Sequence, residues 1–127
     1  QMHTIRRWGN DFYLDANDNA GNITTIQLGG DGSSVNNVTT VITTTYTQAI
    51  NNTHTIYDDT TAGGDITATL MSPADHTGTT VHKKTGNSNN VIITAPSGTI
   101  DGQATFTLSF ENESVSIFSD GSNFYII

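Results

Sequence analysis

The sequence comprises 127 residues with a formal net charge of −8 at pH 7, and only four of them are Lys or Arg. Surfaces that bind nucleic acid need clustered cations, so this charge argues against a nucleic-acid partner. The absence of cysteine excludes disulfide bonds and thiolate metal sites, and no apolar run approaches the roughly 20 residues of a membrane-spanning helix, so we expect no membrane insertion.

Three short stretches of β-type residues come first, at residues 3–8, 10–15 and 23–28. The Asn/Asp-rich run at 15–21 resembles the start of a calcium loop. Its Gly is one place late, and Ile26 stands where a bidentate Glu is needed, so we interpret it as a hairpin turn. Glycine-rich residues 29–34 indicate a flexible joint. The sequence therefore predicts a segment 1–34, the end of a shaft or a linker, before a domain 35–127.

The next predicted strands are rich in threonine, whose β-branched side chain favours extended backbone. They lie at residues 38–46, 54–57, 65–71 and 79–84. In the third, Ile66, Ala68 and Leu70 share one face, which is the period of a half-buried strand. No segment has a sustained helical period, so any helix is at most a short turn near residues 72–76.

The last third of the chain alternates short β-type runs with Gly, Asn and Asp turns. The runs lie at residues 91–94, 105–109, 114–118 and 123–127. Asp120-Gly121 between the last two predicts a β-hairpin, and we expect its apolar final strand to be buried. Strands at this spacing predict an all-β fold, an antiparallel β-sandwich or jelly-roll-like head.

The composition predicts that this fold completes its core by association. Charged residues are 13% of the chain, against about 25% in an average globular domain, and Leu, Ile, Val and Phe together make roughly a fifth. A monomer would therefore have a thin core. We expect the chain to be its own partner, as a homotrimer.

No catalytic set is evident, so we expect a protein that is not an enzyme and has no cofactor and no bound metal. His54, His76 or His82 could be combined on paper with Ser and Asp residues, but a Gly-x-Ser-x-Gly elbow is missing. Acidic neighbours such as Asp58 and Asp59 are typical of solvated loops.

Two polar loops, at residues 72–78 and 85–90, are the best candidates for recognition, because a rigid scaffold usually displays its binding groups between strands. Their side chains suit hydrogen bonding to a sugar or a surface protein. We expect them to be exposed, so that their substitution leaves the fold intact. The candidate binding residues are Asp75, His76, Lys83, Asn87, Asn89 and Asn90.

A family resemblance rests on the order of small motifs from Tyr57 onward. The most telling are Ile100-Asp101-Gly102 and the terminal hairpin Ser119-Asp120-Gly121-Ser122-Asn123-Phe124. In this respect the chain resembles the C-terminal head, or knob, domains of bacteriophage tail fibres, spikes and tail-needle proteins. Residues 10–29 resemble the short β repeats that end the shafts of such fibres.

The resemblance implies a homotrimeric knob at the tip of a virion appendage, which attaches to a glycan or protein of the host cell surface. An alternative is a carbohydrate-binding β-sandwich module of a secreted bacterial protein. A trimer in solution favours the first, and a monomer with glycan affinity favours the second. A purely structural capsid or baseplate plug stays open as a third class.

Overall fold

The computed structural model describes residues 2–8, 11–18, 20–29, 37–49 and 53–127. It contains twelve strands and one short helix in those ranges. In chain order they are β1 (Met2–Trp8), β2 (Asp11–Asn17), β3 (Ile23–Gly29), β4 (Asn37–Val41), β5 (Thr45–Thr47), β6 (His54–Tyr57), α1 (Asp59–Ala62), β7 (Ile66–Thr69), β8 (Thr79–Lys84), β9 (Val91–Thr94), β10 (Thr105–Leu108), β11 (Ser114–Ser119) and β12 (Phe124–Ile126). The predicted all-β class is confirmed.

The strands form two mixed sheets. The first has eight strands in the order β1-β2-β3-β4-β6-β8-β11-β12, and the second has four in the order β10-β9-β7-β5. From β4 to β9 the chain places successive strands alternately in the two sheets. The pairs β4–β6 and β6–β8 are parallel, as are β5–β7 and β7–β9. The chain therefore winds through both sheets, which differs from the antiparallel arrangement predicted for the head.

The winding begins with a sharp bend at residues 42–44, where a single strand over 38–46 was predicted. That prediction is wrong because the buried side chain of Asn22 forms hydrogen bonds to the chain there. Its Oδ1 accepts from the Ile42 backbone N–H at 2.8 Å, and its Nδ2 donates to Thr43 Oγ1 at 3.1 Å. The Ile42 N–H is thereby satisfied outside the ladder, and the chain crosses to the other sheet.

The core lies between the sheets and draws on both. Because side chains alternate along a strand, each central strand contributes its inward positions. The predicted face of β7 is confirmed, since Ile66 and Ala68 are buried and Leu70 follows them inward. Fully buried partners include Val41, Tyr57, Val91, Ile93, Leu108, Ile117 and Phe124.

The N-terminal strands belong to the larger sheet. Strand β3 pairs antiparallel with β4, from Ile23 opposite Thr40 to Ile26 opposite Asn37. The sheet thus continues across the predicted boundary at residue 34. Most of the predicted glycine-rich joint lies outside the described residues.

The predicted terminal hairpin is present. Strand β12 pairs antiparallel with β11, and the Asp120 carboxylate closes the turn by accepting from the backbone N–H groups of Ser122 and Asn123. Phe124 is fully buried, as predicted for this strand, whereas Ile127 is 72% exposed. The final strand is therefore buried on its inward side only.

The winding gives the molecule two loop-bearing ends. At the helix end, residues 42–44, α1 and residues 85–90 follow β4, β6 and β8. Residues 109–113 lie at the same end, because they precede β11, which is antiparallel to β8. The hairpin end carries residues 70–78, 95–104 and 120–123, which precede β8 or follow β9 and β11. Contacts such as Ser119 Oγ donating to the Pro73 carbonyl at 2.6 Å hold the hairpin end together.

Candidate functional site

The two predicted recognition loops lie at opposite ends of β8, one before it and one after it. A strand of six residues spans roughly 20 Å at about 3.3 Å per residue. Asp75 and His76 are consequently at the hairpin end, while Asn87, Asn89 and Asn90 are at the helix end. The structure does not bring the predicted binding residues together into one site.

At the helix end, residues 86–90 wrap around the carboxylate of Asp59, the first residue of α1. Oδ1 accepts from the Gly86 N–H at 2.8 Å, and Oδ2 accepts from those of Ser88 and Asn89 at 2.9 and 2.8 Å. The Asn89 amide donates to the Asp59 carbonyl at 3.0 Å. A Cβ at position 86 would lie 2.5 Å from Asp59 Oδ1, so only glycine fits this wrapping.

Asp59 also forms a buried ion pair with Lys84. The ammonium nitrogen lies 3.4 Å from Asp59 Oδ2, both side chains are fully buried, and the same ammonium donates to the Gly86 carbonyl. Burial raises the pKa of Asp59, but the backbone N–H groups of Asn89, Ser88 and Gly86 outweigh it and leave the pKa below its usual value. Asp59 is therefore a charged anchor for the loop.

This anchor fixes the loop backbone and leaves some of the loop side chains exposed to solvent. Asn87, Ser88 and Asn90 are exposed, and Ser88 Oγ lies 3.2 Å from the hydroxyl of exposed Thr60. The Asn90 N–H donates to Asp65 at 2.9 Å. Amide and hydroxyl groups on a fixed backbone can bind a polar partner without a large ordering cost.

At the hairpin end, Asp75 is exposed but His76 is buried. The expectation that all six candidate side chains are exposed is therefore wrong for His76, and Asn89 is only half-buried and already bonded to Asp59. His76 Nε2 lies 3.2 Å from Thr80 Oγ1, and its ring packs edge-on against Phe124 with centroids 5.5 Å apart. Its surroundings are those of a core residue.

A second buried histidine was not identified from the sequence. His82 Nδ1 lies 2.8 Å from the hydroxyl of Tyr57, and the two rings stack. Burial, reinforced by nearby His76, lowers the pKa of His82 to about 3. Among the described residues, neither His82 Nε2 nor His76 Nδ1 has a hydrogen-bond partner. Both rings are therefore neutral at pH 7.

The alternation along β8 places Thr80, His82 and Lys84 on one face, but it does not show that this polar face is the buried one. Thr80, His82 and Lys84 point inward, whereas Val81 and Lys83 lie on the outer side. The inward face of β8 is entirely polar, whereas the outer face carries Val81, so alternation alone would have placed the wrong face in the core. Lys83 is exposed, as expected, but on the outer face of the larger sheet.

That outer face carries a groove with a volume of about 440 Å³. Its floor crosses the parallel strands β4, β6 and β8, and its lining combines aliphatic side chains with a histidine and a lysine. The lining residues are Val38, His54, Thr55, Ile56, Val81 and Lys83.

No family model, curated protein or solved structure matches this chain. Within the described ranges, no group of three or more His, Cys, Asp or Glu side chains is placed to hold a metal ion. The described part of the chain also has no helix of the length and hydropathy that crossing a membrane requires.

Proposed function

We propose that this chain is a non-enzymatic, homotrimeric head domain at the tip of a virion appendage, such as a bacteriophage tail fibre, spike or needle. It attaches the virion to a glycan or protein on the host cell surface. The proposal is supported by the motif resemblance from Tyr57 onward and by an all-β scaffold with loops at its two ends.

The observation that carries the proposal is the anchoring of the loop at residues 85–90. A buried ion pair is a costly way to hold a loop, because both charges must be removed from water. Here three backbone N–H groups of one loop are fixed on the Asp59 carboxylate, and Asn87 and Asn90 are presented to solvent. Such a rigid polar surface is suited to recognition.

A binding assay on host envelope fractions tests this function. The fluorescently labelled chain is expected to bind intact host cells or an envelope fraction, and the double variant Asn87→Ala/Asn90→Ala is expected to bind at least about tenfold more weakly. Asp75→Ala is the matched control at the hairpin end, where Asp75 is also exposed. Both variants should unfold like the parent chain, since exposed substitutions usually change stability by less than about 0.5 kcal/mol.

Three outcomes would contradict parts of the proposal. Loss of binding in Asp75→Ala alone would place the site at the hairpin end. A monomer by light scattering that binds a purified glycan would favour the secreted carbohydrate-binding module. Cleavage of the bound glycan would refute the non-enzymatic assignment.

A further inference from the structure

The outer face of the larger sheet presents an apolar surface that no described element covers. Val38, His54 and Val81 stand side by side in register across the strands, and Ile56 stands beside Lys83 in the next row. The three aliphatic side chains are half-buried and form the floor of the 440 Å³ groove. In a chain whose strands are mostly coated with threonine, such a surface indicates a docking site.

The helix end carries a side chain that matches this groove. Phe110 is 74% exposed, the highest value among the large apolar side chains that the structure describes. The turn beneath it is held by Glu113, whose Oε1 accepts from the backbone N–H groups of Ser109 and Phe110 at 2.7 and 3.0 Å. The ring is thus presented on a fixed backbone, as aromatic anchors in interfaces are.

The charges beside these two surfaces are opposite. Glu111 follows Phe110 and is exposed, and Lys83 is exposed at the rim of the groove. Lys84, the neighbouring cation, is buried against Asp59. In a chain with a net charge of −8, copies repel one another, so an exposed cation beside an apolar groove favours an acidic, apolar segment from another copy.

We infer that Phe110 of one copy inserts into the groove between Val38, Ile56 and Val81 of a second copy, with Glu111 paired to Lys83. This inference rests on the proposed homotrimer and names the surfaces that form it. A pocket of this volume lies within the range of about 300–1,000 Å³ that holds drug-sized groups, so it has room for one aromatic ring and its neighbours.

The contact is heterologous, because Phe110 and the groove are different patches of the same chain. Contacts of this type close into rings when the rotation between copies permits. Three copies would then each donate one Phe110 and receive one.

Light scattering after size exclusion gives the first test. The parent chain is expected to elute at three times 13.5 kDa, and Phe110→Ser is expected to raise the dissociation constant at least about tenfold. Ile127→Ser is the matched control, because Ile127 is 72% exposed but belongs to neither surface; it should stay trimeric. A trimeric Phe110→Ser variant with unchanged concentration dependence overturns the inference and leaves the homotrimer intact. A monomeric parent chain at every concentration overturns both.

A charge exchange tests the orientation of the contact. Lys83→Glu and Glu111→Lys should each weaken association, and the double variant Lys83→Glu/Glu111→Lys should recover it. Failure of the double variant to recover beyond the single variants contradicts the pairing. Circular dichroism should be the same for all of them, since both side chains are exposed.

The absence of cysteine permits a clean cross-linking test. Co-expression of Lys83→Cys with Glu111→Cys, followed by oxidation of the purified protein with dissolved oxygen, should give a disulfide-linked dimer on a non-reducing gel, because each chain carries one half of the contact. Lys83→Cys alone should stay unlinked. A cross-link in that single variant would show that the two outer faces pack on each other, which overturns the inference.

Discussion

The strand β8 links two buried polar sites of opposite character. At the helix end, Lys84 and Asp59 are both charged, and three backbone N–H groups satisfy the carboxylate. Toward the hairpin end, His82 and His76 are neutral, and each keeps one ring nitrogen without a partner in the described structure. The comparison shows that the buried carboxylate stays charged where several hydrogen bonds and a cation stabilise it, whereas the histidines, which lack such partners, are neutral.

Removing the anion at the charged site should have the largest effect. Asp59→Ala leaves the Lys84 ammonium buried and three backbone N–H groups unsatisfied, so we expect it to lower the free energy of unfolding by about 3–5 kcal/mol. Urea unfolding at pH 7 and fixed protein concentration measures this. The control is Asp65→Ala, whose exposed carboxylate accepts one N–H from the same loop. Equal losses in the two variants would show that the ion pair is not the anchor.

Acid should act on the neutral site first. The pKa of His82 is about 3 in the folded chain and about 6.5 when unfolded, so only the unfolded state takes up this proton as the pH falls below about 6.5. Stability is therefore complete above that pH and declines below it. From pH 6.5 to 4.5, at about 1.36 kcal/mol per unit, the loss from His82 should be about 2–3 kcal/mol.

The double variant Tyr57→Phe/His82→Leu isolates this contribution. It removes both partners of the buried hydrogen bond, so no polar group of the pair is left unsatisfied. Urea unfolding at pH 6.5 and pH 4.5 should show a smaller difference between the two pH values in the variant than in the parent chain. The same pH dependence in both would exclude His82 as its source.

A smaller change at the neutral site sharpens the comparison. Tyr57→Phe deletes the hydroxyl that lies 2.8 Å from His82 Nδ1 and should cost about 1–3 kcal/mol, because a third buried nitrogen then lacks a partner. Tyr125→Phe loses a similar bond, to Asp120 at 3.1 Å, but in exposed surroundings. Thermal melts of the two should differ, and a larger drop in Tyr125→Phe would contradict the assignment.

The smallest loss of stability is expected from the cap of α1, the helix that carries Asp59 of the charged site. Asp58 caps α1, because its carboxylate accepts from the Thr61 N–H at 3.0 Å and from the Thr61 hydroxyl at 2.6 Å. Asp58→Ala should lower stability by about 1 kcal/mol, and Asp58→Ser should retain most of it. Chemical denaturation checks both, and a Ser variant as weak as the Ala variant would argue against capping.

Local pattern was sufficient to predict most strands. The bounds predicted at residues 79–84 and 91–94 agree with β8 and β9, because β-branched runs there end at clear turn residues. The prediction failed where a distant residue decides the backbone. Asn22 bends the chain at Ile42, and the residues within the run at 38–46 do not predict that contact. Similarly, α1 was missed because its four residues depend on the Asp58 cap and on burial of Asp59.

Strand direction and the candidate site were less accessible to sequence reasoning. Alternation tells which side chains share a face, but it does not tell which strand lies alongside, so the parallel pairs were not foreseen. The two recognition loops were correctly predicted to be loops. Their position at opposite ends of the molecule depends on the winding, which the sequence pattern did not predict. The role of Asp59 requires Gly86 and Asn89, some thirty positions away, to fold back onto it.

The winding of the chain also determines where the protein can accommodate insertions and deletions during evolution. From Val38 to its partner His54, and from His54 to its partner Val81, the chain advances by unequal lengths, yet the strands keep continuous register. The surplus residues are taken up by loops at the two ends. Length variation is thus confined to the two loop-bearing ends, and insertions can be accommodated there while the strands keep their pairing.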